Sequence, residues 1–158
     1  MPFPRAGYLR AILHIALPIL YLPASLLAQT ETVQWRFAAR QRSDGTAVFA
    51  ANATIKPGWH LYSQHLAEGG PIPTAFHFTS DDNHSLRGGT DEYGSKVQFH
   101  DELYDMTIVW YSGSVRFEQA VVPHSYPLSI RGIIEYMTCD DHTCIPSKKE
   151  FAVLIEEP

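Results

Sequence analysis

The sequence predicts an all-β fold, an antiparallel sandwich, and three observations carry that expectation. Apolar and polar positions alternate with the period of a half-buried strand, as Val33, Trp35 and Phe37 do against Gln34 and Arg36. Eight Tyr, eight Phe and three Trp, among many Val, Ile and Thr, suit pleated surfaces better than helices. No helical periodicity of useful length occurs beyond the first 28 residues. With 158 residues, 45% of them hydrophobic, there is apolar material for one core and too little length for two domains.

The elements follow in order. The first strand holds Val33, Trp35 and Phe37 and ends before the turn signal Asp44-Gly45. A second spans 46–55 and is stopped by Lys56-Pro57-Gly58. A Gly- and Pro-rich loop over 68–73 leads to a short strand at 74–79, and polar residues 80–90, with Gly88-Gly89, read as another loop. Further strands are expected at 96–100, 106–111, 115–122, 129–138 and 149–156, separated by signals such as Ser112-Gly113 and the segment 124–127. Roughly seven to nine short strands at this spacing match an immunoglobulin-like antiparallel β-sandwich.

The first 28 residues are a separate object. Arg5 and Arg10 precede the apolar run 11–27, and polar sequence opens at Gln29, which is the order of a secretory signal peptide cut after Ala28. The alternative is an uncleaved anchor, but the 17-residue run, broken by Pro18 and Pro23, falls short of the ~20 residues that span a bilayer. The remainder, 29–158, is expected to be one exported domain. It carries 10 basic against 17 acidic groups, or −7, which would repel phosphate backbones and excludes nucleic acid as an expected partner.

Export bears on the two cysteines, because an oxidising compartment permits a disulfide. A strand runs into Cys139, four polar residues turn the chain, and a second strand leaves after Pro146. If those strands pair, the cysteines stand at a hairpin mouth with Cα atoms about 4.5–5.5 Å apart, which suits a disulfide. As a staple the ring is weak, ~2 kcal/mol by chain entropy against ~4.7 kcal/mol for a loop of about 100 residues. A bond at a loop tip is also open to a partner's thiolate. Spacing alone leaves the redox and staple readings open. The staple reading fits a non-catalytic adhesion or assembly module. A metal carrier using His60, His142, Met137 and the cysteines is a third reading, disfavoured because no second Cys/His pair follows and the other histidines are scattered.

Beyond these features the residues resemble a known family, the N-terminal periplasmic domain of the thiol:disulfide interchange protein DsbD. The resemblance covers roughly 34–155. It rests on Lys56-Pro57-Gly58-Trp59-His60-Leu61-Tyr62, on Asp91-Glu92-Tyr93-Gly94, and on Glu135-Tyr136-Met137-Thr138-Cys139 through Cys144-Ile145-Pro146. It implies an immunoglobulin-like sandwich in the periplasm that takes electrons from a thioredoxin-like donor and delivers them to periplasmic disulfide proteins, acting as a monomer and without a cofactor. It also implies that Cys144 forms the mixed disulfide with partners and that Cys139 resolves it. Asp91, Glu92 and Tyr93 resemble a short loop that covers the disulfide, with His60 and Tyr62 lining the opposite side. The best-known members have five residues between the cysteines where this chain has four, and a tyrosine where His60 stands. A protein ending at Pro158 would draw its electrons from another polypeptide.

Asp140 and Asp141 should hinder thiolate formation, since a carboxylate about 6 Å from a second negative charge costs up to ~3 kcal/mol at an effective dielectric near 20. His142, when protonated, would oppose them.

Overall fold

The computed structural model describes residues 31–157, so the expected signal segment 1–28 lies outside the described residues. All regular elements are strands: β1 (Val33–Gln41), β2 (Ala47–Ile55), β3 (His60–Tyr62), β4 (Ala75–Phe78), β5 (His84–Asp101), β6 (Met106–Pro123), β7 (Leu128–Cys139) and β8 (Cys144–Ile155). Every pairing is antiparallel. The backbone runs β1-β2-β6-β3-β7-β4, with β5 added to β6 and β8 added to β7. β3 is therefore the bridge between a β1-β2-β6-β5 half and a β4-β7-β8 half, and the sheet curls there so that the two inner faces meet as an immunoglobulin-like sandwich.

The alternation predicted for β1 is the one observed. Val33 and Trp35 are buried, while Gln34 and Arg36 face solvent. The turn at Asp44-Gly45 is fixed by the Asp44 carboxylate, which accepts from Thr46 N–H at 2.9 Å and Thr46 Oγ1 at 2.6 Å, and by Gly45 at φ +81°. Between the halves, Phe49 packs on Phe151 with ring centroids 4.6 Å apart, Phe76 on Phe117 at 5.1 Å and Trp35 on Tyr136 at 5.4 Å. Such aromatic pairs add about 0.5–1.5 kcal/mol each beyond their area.

Three expectations are corrected, and one strand was not foreseen. The polar stretch 80–90 is not all loop, because β5 starts at His84 and continues to Asp101. Its Gly88-Gly89 forms a bulge within the strand rather than part of a loop: Arg87 pairs with Ala120 and Thr90 with Gln119, leaving two extra residues on β5. The buried Gln119 amide satisfies that bulge, donating to Arg87 O at 3.1 Å and accepting from Thr90 Oγ1 at 3.0 Å. Likewise Ser112-Gly113 does not separate two strands. Gly113, at φ +72°, lies in a bulge where Tyr111 and Val115 of the continuous β6 oppose Lys96 and Gly94. β8 begins at Cys144 rather than 149, with Pro146 paired to Met137. Finally, β3 went unpredicted, since three residues are too few to show a period.

Candidate functional site

The β7–β8 hairpin has Cys139 and Cys144 as its last facing pair, and the two are joined as a disulfide with Cα atoms 4.1 Å apart. The four-residue turn between them is closed by Asp140. Its backbone N–H donates to Thr143 O at 3.0 Å, and its carboxylate accepts from the N–H groups of His142 at 2.8 Å and Thr143 at 2.7 Å. Those backbone donors hold the Asp140 carboxyl below the usual carboxylate range. Asp140 is thus the residue that shapes the turn, while Asp141 and His142 project into solvent.

The two sulfurs are not equivalent. Cys139 is 2% exposed and belongs to a small apolar cluster with Tyr62 and Ile108, flanked by Leu66, Phe99, Met106, Trp110 and Met137. Cys144 is exposed. The difference follows from the topology. Cys139 ends an inner strand and faces His60 of β3, whereas Cys144 opens β8, which among the described residues pairs with β7 alone.

β3 brings two predicted residues onto the buried sulfur. Tyr62 Oη donates to Cys139 Sγ at 3.4 Å, and His60 Nε2 lies 3.3 Å from the same hydroxyl. Burial raises the Tyr62 hydroxyl above its ordinary pKa, and the negative charge of Asp101 adds to this. Burial lowers the His60 imidazole, against the opposing pull of Asp141 and Asp140. The His60 ring is stacked on Trp110 at 4.1 Å, and Trp110 packs on Phe99 at 4.7 Å, so β5 and β6 hold the ring that β3 presents. Thr138, fully buried beside Cys139, shares a 2.8 Å hydrogen bond with Thr32.

Asp91-Glu92-Tyr93-Gly94 is strand, not loop, paired with Glu118, Phe117, Arg116 and Val115. Tyr93 is 53% exposed, and among the described residues no hydrogen bond or aromatic pair joins it or Asp91 to either cysteine. Glu92 points into the molecule, accepting from Tyr111 Oη at 2.8 Å, Gln64 N–H at 3.1 Å and Ser63 Oγ. Burial works to raise its carboxyl, but these three donors outweigh it and leave the group below its usual range. Glu92 therefore anchors the segment that follows Tyr62.

The sequence reading missed Trp110, Phe99 and Thr32, which reach the site through tertiary packing and carry no local signal. It also missed a cavity of about 570 Å³ bordered by the start of β8, lined by Trp59, Tyr136, Ile145, Pro146 and Lys56 among others. No helix among the described residues is long and apolar enough to cross a membrane.

A family model described as thiol:disulfide interchange protein DsbD, N-terminal, matches residues 24–156. No curated protein matches the chain. Among solved structures, it is similar to the N-terminal periplasmic domain of ScsB from Proteus mirabilis, at 19% identity and TM-score 0.58, over 80% of this chain and 47% of that one. The chain thus spans about half of that relative's length. It is also similar to the reduced DsbD N-terminal domain of Neisseria meningitidis, at 15% identity and TM-score 0.57, over 84% of this chain and 92% of that one. A third structure, a complex of the DsbD N-terminal and PilB N-terminal domains from the same species, gives 15% identity and TM-score 0.53, over 81% and 87%. The chain, whose two cysteines are joined as a disulfide, belongs to the family of the N-terminal domain of the thiol:disulfide interchange protein DsbD, a thiol–disulfide exchange domain.

Proposed function

We propose that the domain relays reducing equivalents in the periplasm from a thioredoxin-like donor to disulfide-bonded acceptor proteins, through reversible opening of the Cys139–Cys144 bond. The observation that carries this reading is the asymmetry of the pair, with Cys144 exposed and Cys139 buried under Tyr62. An incoming thiolate must approach along the S–S axis, and only the exposed sulfur is open to it. The donor's thiolate attacks Cys144, the S–S bond breaks, and Cys139 leaves with the electron pair. A second donor thiol then releases Cys144 in reduced form. Toward an acceptor the steps reverse: Cys144 attacks the acceptor's disulfide, and Cys139 closes the intramolecular bond to free it.

The solved complex of a related domain with the PilB N-terminal domain supports a partner of this kind. The leader 1–28 would deliver the domain to the periplasm and be removed, and intact-mass measurement of periplasmic protein should give a chain starting at Gln29.

Equilibration of residues 29–158 with thiol redox buffers, followed by counting of free thiols, tests the reading. A working relay has a reduction potential above about −300 mV, whereas a bond that stays closed below that value is a structural staple.

A further inference from the structure

We infer that His60 is the proton acceptor for the resolving cysteine, acting through the hydroxyl of Tyr62. The inference rests on the proposed division of labour, in which Cys139 attacks second, and it concerns a step that burial makes difficult. Cys139 is 2% exposed. A thiolate formed there without a counter-charge would be a buried anion, and desolvation disfavours it strongly. Some group must take the proton and stay near.

The geometry supplies one route. Cys139 Sγ lies 3.4 Å from Tyr62 Oη, and Tyr62 Oη lies 3.3 Å from His60 Nε2. In the disulfide form the sulfur has no proton, so Tyr62 donates to it. In the mixed disulfide, where Cys139 is a free thiol, the same hydroxyl can turn its own proton to His60 and accept the one on sulfur. The Cys139 S–H proton then passes to Tyr62 Oη as the Tyr62 proton passes to Nε2. Cys139 attacks Cys144 Sγ, the intramolecular S–S bond forms, and the partner departs as thiolate with the electron pair of the broken bond. The imidazolium afterwards returns its proton to water.

The surroundings of His60 fit both of its states. Burial keeps the imidazole neutral and free to accept at neutral pH. Once charged, it faces Asp140 and Asp141 from the β7–β8 turn and the new thiolate from β7, all of opposite sign. From β6 it meets only the uncharged Trp110, whose stacking at 4.1 Å fixes the ring. Beside it on β3, Tyr62 is itself approached by Asp101 and Tyr104 from the β5–β6 turn. His60 does not touch the reacting sulfur and is therefore a positioning residue in the proton path.

The experiment mixes reduced domain with an aromatic disulfide reagent whose thiolate product absorbs visible light, and follows two phases. The first reports attack by Cys144 and the second reports resolution by Cys139. With His60 in place, the second phase should change less than about three-fold between pH 8 and 6, because the proton remains in an imidazolium–thiolate pair. In His60→Phe, which keeps the stacking ring, it should fall about ten-fold per pH unit, as for a lone thiol below its ordinary pKa near 8.5. Tyr62→Phe should show the same slope, and the double variant should be no slower than either single one. The first phase should be unchanged in all three. A His60→Phe variant with the wild-type slope, or a loss confined to Tyr62→Phe, overturns the relay. A first phase that depends on Cys139 instead of Cys144 overturns the division of labour itself, and is read separately in the single-cysteine variants.

Discussion

Cys139 and Cys144 face each other across one hairpin, yet one is buried at 2% exposure beneath the Tyr62 hydroxyl and the other opens to solvent. The four-residue turn alone does not impose this difference. It arises because β3 inserts between β6 and β7 at the level of Cys139, setting His60 opposite the cysteine and Leu61 opposite Thr138. Among the described residues, β8 has no such neighbouring strand on its other side at Cys144.

Gly132 shows how tightly β4, β7 and β8 meet in the half that carries the cysteines. A Cβ there would stand 2.3 Å from the backbone oxygen of His77 and 2.6 Å from Phe151 Cζ. Because one neighbour is backbone, the clash cannot be relieved by a rotamer change alone. Gly132→Ala should cost at least about 1–3 kcal/mol, measurable as a lower urea midpoint at unchanged slope.

Glu92 should matter for stability rather than for exchange. Its folded-state pKa is depressed by the Ser63, Gln64 and Tyr111 donors against the effect of burial. The stabilisation is therefore present above the ordinary carboxyl pKa near 4.5 and is lost as pH falls through the lower folded value. Glu92→Gln should destabilise the domain at pH 7 by about 1.5–3 kcal/mol, the range for hydrogen bonds to a charged group. The gap between wild type and variant should narrow below pH 4.5. Thermal melts of both proteins at pH 7 and pH 3.5 check this, and taking the difference removes the contributions of Asp44, Glu135 and Asp140, whose carboxyls are depressed too.

Tyr93 pairs with Arg116 in mid-strand and is 53% exposed. Tyr93→Ala should shift stability by no more than about 0.5 kcal/mol and leave the reaction of reduced Cys144 with a small disulfide within about two-fold. A several-fold faster thiol in an equally stable variant would restore Tyr93 as a cover over the sulfur.

The sequence made the strands legible where alternation was long, as in β1 and β2, and made the hairpin legible through the Cys139 to Cys144 spacing and Pro146. It misled at Gly88-Gly89, read as part of a loop, and at Ser112-Gly113, read as a turn. A bulge and a turn ask the same thing of a residue, freedom at positive φ, and only the buried Gln119 on another strand distinguishes the first case. The tyrosine and histidine of β3 were found through family resemblance. Trp110 and Phe99, which hold His60, lie on strands remote in sequence, and no local pattern pointed to them. The segment 91–94 was expected as a loop through the family resemblance, and the stretch 80–90 because its residues are polar, yet an exposed edge strand is polar too.

The central claim is that Cys144 is the exchanging sulfur, and single-cysteine variants of residues 29–158 test it most directly. Reduced Cys139→Ser, which retains Cys144, and reduced Cys144→Ser, which retains Cys139, are each mixed at pH 7 with a small aromatic disulfide, and the rate of mixed-disulfide formation is measured. The account predicts that the protein retaining Cys144 reacts at least about ten-fold faster, since burial both blocks approach to Cys139 and disfavours its thiolate. Equal rates, or faster reaction of the protein retaining Cys139, would contradict it.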